Sequence, residues 1–393
     1  MKRVFASNFL NHHQLTLCKA FESFPEIEFN FIATTPVPKE RLGMGYHDMN
    51  HTYDFVICAY ENSEAHKKAL VLCENADVVI IGSAPKEYIK QRLKAKKLTF
   101  KYSERIYKTK PPLYQMPFRA IKYFWESGRH KNLYLLCSSA YTAADYAKTH
   151  TLINKAYKWG YFPEVKKYDD IDITVSQKHT NSILWAGRLI DWKHPETAVQ
   201  VALRLKQAGY KFVLNIIGAG TMEDELKSLI SSHGLNDCVK MLGSMSPEKV
   251  REYMEQSEIY LFTSNRQEGW GAVLNEAMNS GCAVVASHAI GAVPYLMRNR
   301  ENGLIYHSGN VDELFEKVKY LLDNPGEQER LGKAAYETIV GEWNAEVAAE
   351  RLINLSEHLL AGEKYPDLYP TGPCSRAETI KDDWFYEYRT ATL

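Results

Sequence analysis

The sequence predicts an α/β protein built from two Rossmann-like, doubly wound domains that face each other across a cleft. Three observations lead there. At 393 residues the chain exceeds one ordinary hydrophobic core. Short β-branched or apolar runs alternate with helix-period segments, the signature of parallel strands covered on both faces. The composition, 45% apolar and 12% aromatic with no low-complexity run, gives each half enough apolar surface to offset its ordering entropy.

In the first half the runs KRVFAS, FNFIATT, YDFVICA, ADVVIIG and LYLLCSS read as strands, with amphipathic segments between them. From Pro163 to Thr180 the chain is polar, acid-rich and without periodicity, as expected of a linker. In the second half SILWAG leads to a helix from about Pro195, and KFVLNIIG to TMEDELKSLIS. VKML, EKVREYMEQS, EIYLFTS, GAVLNEAMNSG and CAVVAS continue the alternation. After Pro366 it gives way to a Pro- and aromatic-containing tail. The expected division is a first domain over 1–165, a linker over 166–180, a second domain over 181–365 and a tail over 366–393 that packs on the first domain.

Net charge is zero, but residues 1–180 hold 27 basic and 18 acidic side chains and residues 181–393 hold 21 and 30. Neutrality excludes a general nucleic-acid binder, and the asymmetry predicts that one half faces something anionic. Seven scattered cysteines without CxxC spacing read as reduced thiols of a cytoplasmic protein. MKRVFASNF does not read as a signal peptide, and runs such as VVII are far too short to span a membrane.

Open parallel sheets bind ligands in the turns at the carboxyl ends of their strands. Three such turns in the second half hold unusual residues: Gly187, Arg188 and Lys193 after SILWAG, Gly218-Ala219-Gly220 after NIIG, and NRQEGWGAVLNEA after EIYLFTS. In the third, Gly269, Trp270 and Gly271 let the backbone approach a ligand, and a helix is expected to begin at about Gly271 with Ala272 and Val273 in its first turn. Glu268 precedes it and Glu276 lies eight residues on, a reach of roughly 12 Å if all were helical. That suits an extended ligand with a sugar at Glu268, a diphosphate over the glycines and a ribose at Glu276, with Arg188 and Lys193 neutralising the phosphates. The spacing alone is weak, since Glu329/Glu337 and Glu342/Glu350 repeat it inside helical stretches.

These residues resemble the retaining glycosyltransferases of family 4, which have the GT-B fold. GRLIDWK looks like their diphosphate-binding turn, NIIGAGTMEDEL like their strand and glycine turn, VKMLGSM like their base-side loop, and EGWGAVLNEAMNSGCAVVAS like their E-x7-E signature. The resemblance runs from about Asn181 to Asp323. It implies that Glu268 meets the donor sugar near the reacting carbon, Glu276 the ribose, Arg188 and Lys193 the diphosphate, and Leu242 and Leu274 the nucleoside. Trp270 stands where the family usually has phenylalanine, which bears on the shape of a sugar pocket, and His194-Pro195 replaces a glycine. The activity implied is metal- and cofactor-independent transfer, with retention, from a nucleotide-diphosphate sugar, a UDP-sugar foremost. The acceptor is a hydroxyl of a glycan or a lipid-linked molecule, and the setting bacterial surface polysaccharide or glycolipid synthesis.

In that fold the turn after the first strand faces donor and acceptor, and here it reads SNFLNHHQ, making His12 and His13 catalytic candidates. Gly82 and Ser83 are acceptor-side candidates. Residues 86–131 hold 14 basic and 3 acidic residues interleaved with aromatics, read either as a solvated face over core aromatics or as a dock for an anionic membrane or lipid diphosphate, with RNA binding disfavoured because no recognised module accompanies the charges. Asp170-Ile171-Asp172 matches a metal-binding DxD text but lies in the expected linker and is read as incidental. The rival functions are a nucleotide-sugar epimerase, a non-catalytic nucleotide-sugar binder, and a dinucleotide oxidoreductase built on Gly218-x-Gly220. The last has Glu223 at the third glycine position of its fingerprint.

Overall fold

The computed structural model describes residues 1–39, 42, 47–109 and 111–386. Lys110 of the basic stretch and residues 387–393 of the tail lie outside them. The chain divides into two compact units, one of Met1–Glu164 with Trp343–Lys381 and one of Val165–Glu342 with the chain from Asp382 on.

The first unit has seven parallel strands, β1 (Lys2–Ser7), β2 (Glu28–Ala33), β3 (Val56–Cys58), β4 (Val78–Ile81), β5 (Thr99–Ser103), β6 (Leu133–Cys137) and β7 (Ala156–Lys158). Their spatial order is β3-β2-β1-β4-β5-β6-β7. β4 and β6 are buried at every residue, as central strands covered on both faces must be. On one face Val4, Ala6, Val79 and Ile81 pack with Ala69 and Cys73 of the helix Ser63–Asn75. Arg92 is buried beside them and donates to the carbonyls of Cys73 (2.7 Å), Ala76 (2.6 Å) and Leu98 (2.6 Å). It thereby closes the carboxyl end of that helix onto the sheet, and burial lowers its pKa to about 10.

The second unit has six parallel strands, β8 (His179–Ala186), β9 (Val213–Ile217), β10 (Val239–Met241), β11 (Ser257–Phe262), β12 (Ala283–Ser287) and β13 (Leu304–Tyr306), in the order β10-β9-β8-β11-β12-β13. Numbered within the unit this is 3-2-1-4-5-6, the dinucleotide-fold order, with its reversal between β8 and β11. Trp185, Ile216, Leu261 and Val285 form the core with Val201 and Leu205 of the helix Pro195–Gln207.

Boundaries differ from the sequence reading in two places. The chain leaves the second unit at Glu342, before 365, because Ala348, Leu352 and Leu355 of the helix Ala345–Leu360 are buried in the first unit against the helix His12–Glu22. Arg3 donates to Ser356 of that helix at 3.1 Å. The expected linker is folded on the second unit. Lys166 N–H donates to Asn279 Oδ1 (2.8 Å) and Tyr168 N–H to the Tyr336 hydroxyl (2.9 Å). Asp170 caps a short helix, Ile171–Ser176, accepting from Asp172 N–H at 2.8 Å, while the Asp172 carboxylate pairs with Lys333 at 2.7 Å. Both carboxylates of the DxD text thus have local structural partners.

The tail runs antiparallel along β7. Lys158 N–H donates to Ser375 O (2.8 Å), Cys374 N–H to Lys158 O (2.9 Å) and Ala377 N–H to Ala156 O (3.0 Å), so the sheet edge is covered. Further on, Asp382 pairs with Arg266 at 3.4 Å and Phe385 packs on His307, with ring centroids 4.8 Å apart, in the second unit. All seven cysteines are buried and unbridged. Among the described residues no helix is long and apolar enough to cross a membrane.

Replacing Arg92 by Ala leaves helix-end carbonyls buried without a donor and should cost about 2–4 kcal/mol. A thermal unfolding midpoint several degrees lower is the expected measurement, with Lys68→Ala on the exposed side of the same helix as the neutral comparison.

Candidate active site

Strands flanking the order reversal of a parallel sheet send their helices to opposite faces, which opens a crevice at their carboxyl ends. In the second unit the turns after β8 and β11 border that crevice, and the turn after β9 abuts the first of them. Gly187 N–H donates to Ile217 O (3.0 Å) and Leu189 N–H to Ala219 O (2.9 Å), so the turns after β8 and β9 are stitched together. A Cβ on Gly218, whose φ is +142°, would lie 1.8 Å from Gly187 O, and one on Gly220 would lie 2.2 Å from Leu189 O. These glycines are required by turn-to-turn contact, which accounts for the Gly-x-Gly text without a dinucleotide.

The turns after β8 and β11 are joined by charge. Lys193 Nζ donates to Glu268 Oε2 at 2.6 Å, with each side chain only 12% exposed, and Ser264 Oγ donates to the same oxygen at 3.0 Å. One backbone and two side-chain hydrogen bonds fix the pair: Asn265 N–H to Trp192 O (3.0 Å), Thr263 Oγ1 to Lys193 O (2.7 Å), and Trp185 Nε1 to Thr263 Oγ1 (2.8 Å). His194 holds the left-handed conformation, φ +51°, in place of glycine, and its ring bridges Glu196 (2.8 Å) and Asn265 (3.0 Å). Arg188 stays exposed, its guanidinium 5.7 Å from the Trp192 ring centroid. Among the described residues of these turns, Arg188 is exposed and open to an anion while Lys193 is held by a carboxylate.

The helix after β11 spans Val273–Asn279 rather than starting at Gly271, whose φ of +92° is incompatible with a right-handed helix. Residues 268–272 are turn, so the reach from Glu268 to Glu276 is not that of a continuous helix. A Cβ on Gly271 would strike the Phe262 ring at 2.6 Å, which packs this turn tightly over β11. No side chain caps the helix, and its first-turn amides lack that competitor. Glu276 keeps some accessible surface as a residue, yet its carboxyl lies deep enough that burial raises its pKa to about 7, with the Arg251 guanidinium pulling the other way.

Among the other donor-side candidates, Gly187, Leu242 and Val273 are half-buried, whereas Gly269 and Ala272 are buried. Two side-chain expectations are corrected. Trp270 is fully buried, its Nε1 donating to Asn275 Oδ1 at 2.9 Å and its ring 6.3 Å from Tyr295, so the indole is core beneath the turn and not a pocket wall. Leu274 is likewise fully buried, because it points from the new helix back to the sheet.

In the first unit the order reversal lies between β1 and β4, and the following turns carry the other candidates. Asn11 caps the helix His12–Glu22, its Oδ1 accepting from the N–H groups of His13 (3.1 Å) and Gln14 (3.2 Å). The rings of His12 and His13 lie 3.6 Å apart, and His13 stacks on Tyr161, with centroids 5.7 Å apart. Gly82 adjoins this turn, since a Cβ there would meet Ser7 Oγ at 3.0 Å; Ser83 is exposed. His12 and His13 thus follow the carboxyl end of β1, where Gly82, after β4, lies against Ser7. Elsewhere in this unit His51, Cys58 and Glu61 come close enough to share an ion, but both His51 ring nitrogens already face carboxylates, Glu61 at 2.8 Å and Asp48 at 3.1 Å.

Sequence reasoning passed over Ser264, Asn265, His194, Arg251 and Tyr260. Tyr260 donates to Ala186 O at 3.0 Å and forms the buried floor under both glutamates, which raise its pKa further after burial itself. Asn265 and His194 stood in the quoted turns as polar residues flanking charged ones; Arg251 was hidden in an ordinary charged helix.

The fold and site define a protein of the GT-B class, two Rossmann-like units with a charged constellation at the switch point of the second. Residues 167–338 match the family model described as Glycosyl transferases group 1. The amylovoran biosynthesis glycosyltransferase AmsK of Erwinia amylovora is 30% identical over 182 residues, 45% of this chain and 44% of its own. An N-acetylgalactosaminyltransferase of Campylobacter jejuni, whose name specifies a diphospho-undecaprenol acceptor, is 32% identical over 154 residues, 39% of this chain and 40% of its own. The chain spans about half the length, or less, of the curated relatives it matches. Among solved structures, Anabaena HepE in complex with UDP superposes with a TM-score of 0.67 over 92% of this chain and all of its own, at 15% identity.

Gly218→Ala should abolish the stitching of the turns after β8 and β9, since a backbone oxygen cannot step aside. A loss of at least about 3 kcal/mol is expected by chemical denaturation.

Proposed function

We propose that this chain is a retaining glycosyltransferase that moves a sugar from a nucleotide-diphosphate sugar, with UDP as the nucleotide, to an acceptor hydroxyl. The observation that carries this is the meeting of Arg188, Lys193, Glu268 and Glu276 at the switch point of the second unit, inside the segment that matches the family. The likeness to HepE, solved with UDP, supports the nucleotide. The polysaccharide and lipid-diphosphate names of the relatives support an acceptor of that kind and a role in bacterial surface polysaccharide or glycolipid synthesis on the cytoplasmic side of the membrane.

In the proposed reaction the acceptor oxygen bonds to the anomeric carbon as the bond from that carbon to the diphosphate breaks. The diphosphate leaves with the electron pair and takes the acceptor's proton on a phosphate oxygen, so the chemistry needs neither a metal nor a cofactor. Arg188 and the uncapped amides before Val273 stabilise the growing phosphate charge. Lys193 turns from Glu268 to the phosphates as they arrive, which frees Glu268 to orient the sugar and offset developing positive charge. Glu276 accepts from two ribose hydroxyls. In the first unit His12 and His13 are proposed as catalytic residues and Gly82 and Ser83 as acceptor-side residues.

A transfer assay with UDP-sugars and a lipid-linked acceptor tests this. Arg188→Ala should lower kcat by about a hundredfold or more, whereas Glu276→Ala should weaken donor binding about tenfold to a hundredfold. Wild-type rates from both variants would sink the assignment, and epimerised donor in the absence of acceptor would give the site to an epimerase instead.

The carboxyl of Glu276 adds a pH signature. With a folded value of about 7 against an ordinary 4.5, the free protein retains this proton up to neutrality, and ionising it costs stability as pH rises from 4.5 through 7. Ribose hydroxyls need the ionised form, so donor affinity should rise about tenfold between pH 6 and pH 8 with release of a proton. Calorimetry with a nucleotide sugar in buffers of different ionisation enthalpy checks this. Glu276→Gln should flatten the profile.

A further inference from the structure

Among the described residues fifteen large apolar side chains are exposed, and six of them fall within thirteen consecutive positions: Leu113, Tyr114, Phe118, Ile121, Phe124 and Trp125. Leu113 is 87% and Phe118 75% exposed. They lie on one unbroken helical stretch, a 3₁₀ turn Leu113–Gln115, the helix Met116–Tyr123 and a π-helical turn Phe124–Gly128. Tyr114, Phe118, Ile121 and Trp125 follow one another by four, three and four residues, which sets them on a single face. The helix Met116–Tyr123 buries none of its residues, so this face contributes nothing to the core of its own unit. By contrast Tyr88 and Tyr107, in the same basic stretch, are buried, so only residues 113–125 turn their aromatics outward.

The charges beside this face are of one sign. Arg119, Lys122 and Arg129 flank it, with the Arg129 guanidinium 4.7 Å above the Trp125 ring, while Glu126 is neutralised by Lys86. We propose that this helical stretch seats on an anionic lipid bilayer, its six apolar side chains entering the boundary between headgroups and acyl chains and the three cations facing lipid phosphates. Charge complementarity selects this occupant: a second copy of the chain would bring the same cations against these. The inference deepens the function proposed above by placing the acceptor-binding unit where lipid-linked acceptors reside, but its geometry stands without it.

The full chain is sedimented with extruded vesicles of phosphatidylcholine alone and of phosphatidylcholine with phosphatidylglycerol in a two-to-one ratio. Binding to the mixed vesicles, weakened by salt, is expected. Phe118→Ser with Trp125→Ser should reduce the partition coefficient at least about tenfold, and Arg119→Glu with Lys122→Glu should remove the preference for phosphatidylglycerol. The substituted side chains are exposed or half-buried, so both variants should keep the wild-type unfolding midpoint and the thermal shift with a UDP-sugar. Equal binding by wild type and the Phe118/Trp125 variant, or no wild-type binding to either vesicle, overturns the proposal. So does a concentration-dependent dimer that the Phe118/Trp125 variant loses. Vesicle binding without any thermal shift by nucleotide sugars would instead overturn the transferase reading and leave this one standing.

Discussion

The ion pair between Lys193 and Glu268 is the constraint around which the second unit's site is arranged. It spans the order reversal of the sheet, tying the turn after β8 to the turn after β11 beside the backbone bond from Asn265 N–H to Trp192 O. Both groups have lost most of their water, so removing either would leave a charge uncompensated at a cost of about 3–5 kcal/mol. Ser264, Thr263 and Asn265 serve this pair before anything else, and His194 accepts a strained backbone conformation to deliver Lys193 to it. An arriving anion must compete with Glu268 for the lysine, so binding and rearrangement of the site are one event.

Beneath the pair lies a second constraint, steric rather than electrostatic. Gly218 and Gly220 touch the backbone of the turn after β8, and Gly271 lies on the Phe262 ring. With Trp270 and Leu274 in the core, the glutamates stand on a rigid base that leaves their own carboxyls as the variable elements. The raised pKa of Glu276 belongs to the same packing: the enclosure that fixes the helix also denies this carboxyl its water.

The strands, their alternation with helices and the three turns were legible in the sequence because short apolar runs and glycine at turns are local properties. The glycine text was legible as a pattern, but its cause was not: Gly218 answers to Gly187 O, thirty-one residues earlier, and no local rule anticipates that contact. Trp270 is tied to a sugar pocket only through the phenylalanine it replaces in the resembled family, whereas its burial is decided by Asn275 and Tyr295. The helix Ala345–Leu360 reads as one more covering helix of the second unit, and only the fold shows its apolar face committed to the first. Among the aromatics of residues 86–131, sequence could not separate buried Tyr107 from exposed Phe118, since each lies beside a cation, Lys108 or Arg119.

The strip of tail beside β7 and the helix against His12–Glu22 have a consequence for how the chain comes into being. The first unit is discontinuous, and its last layer is supplied by Trp343–Lys381. During synthesis the stretch Val165–Glu342 of the second unit has been made before that layer emerges. The amino-terminal strands, including the edge of β7, therefore wait unsealed while the later-made half folds, and Trp343–Lys381 finish the part that was begun first.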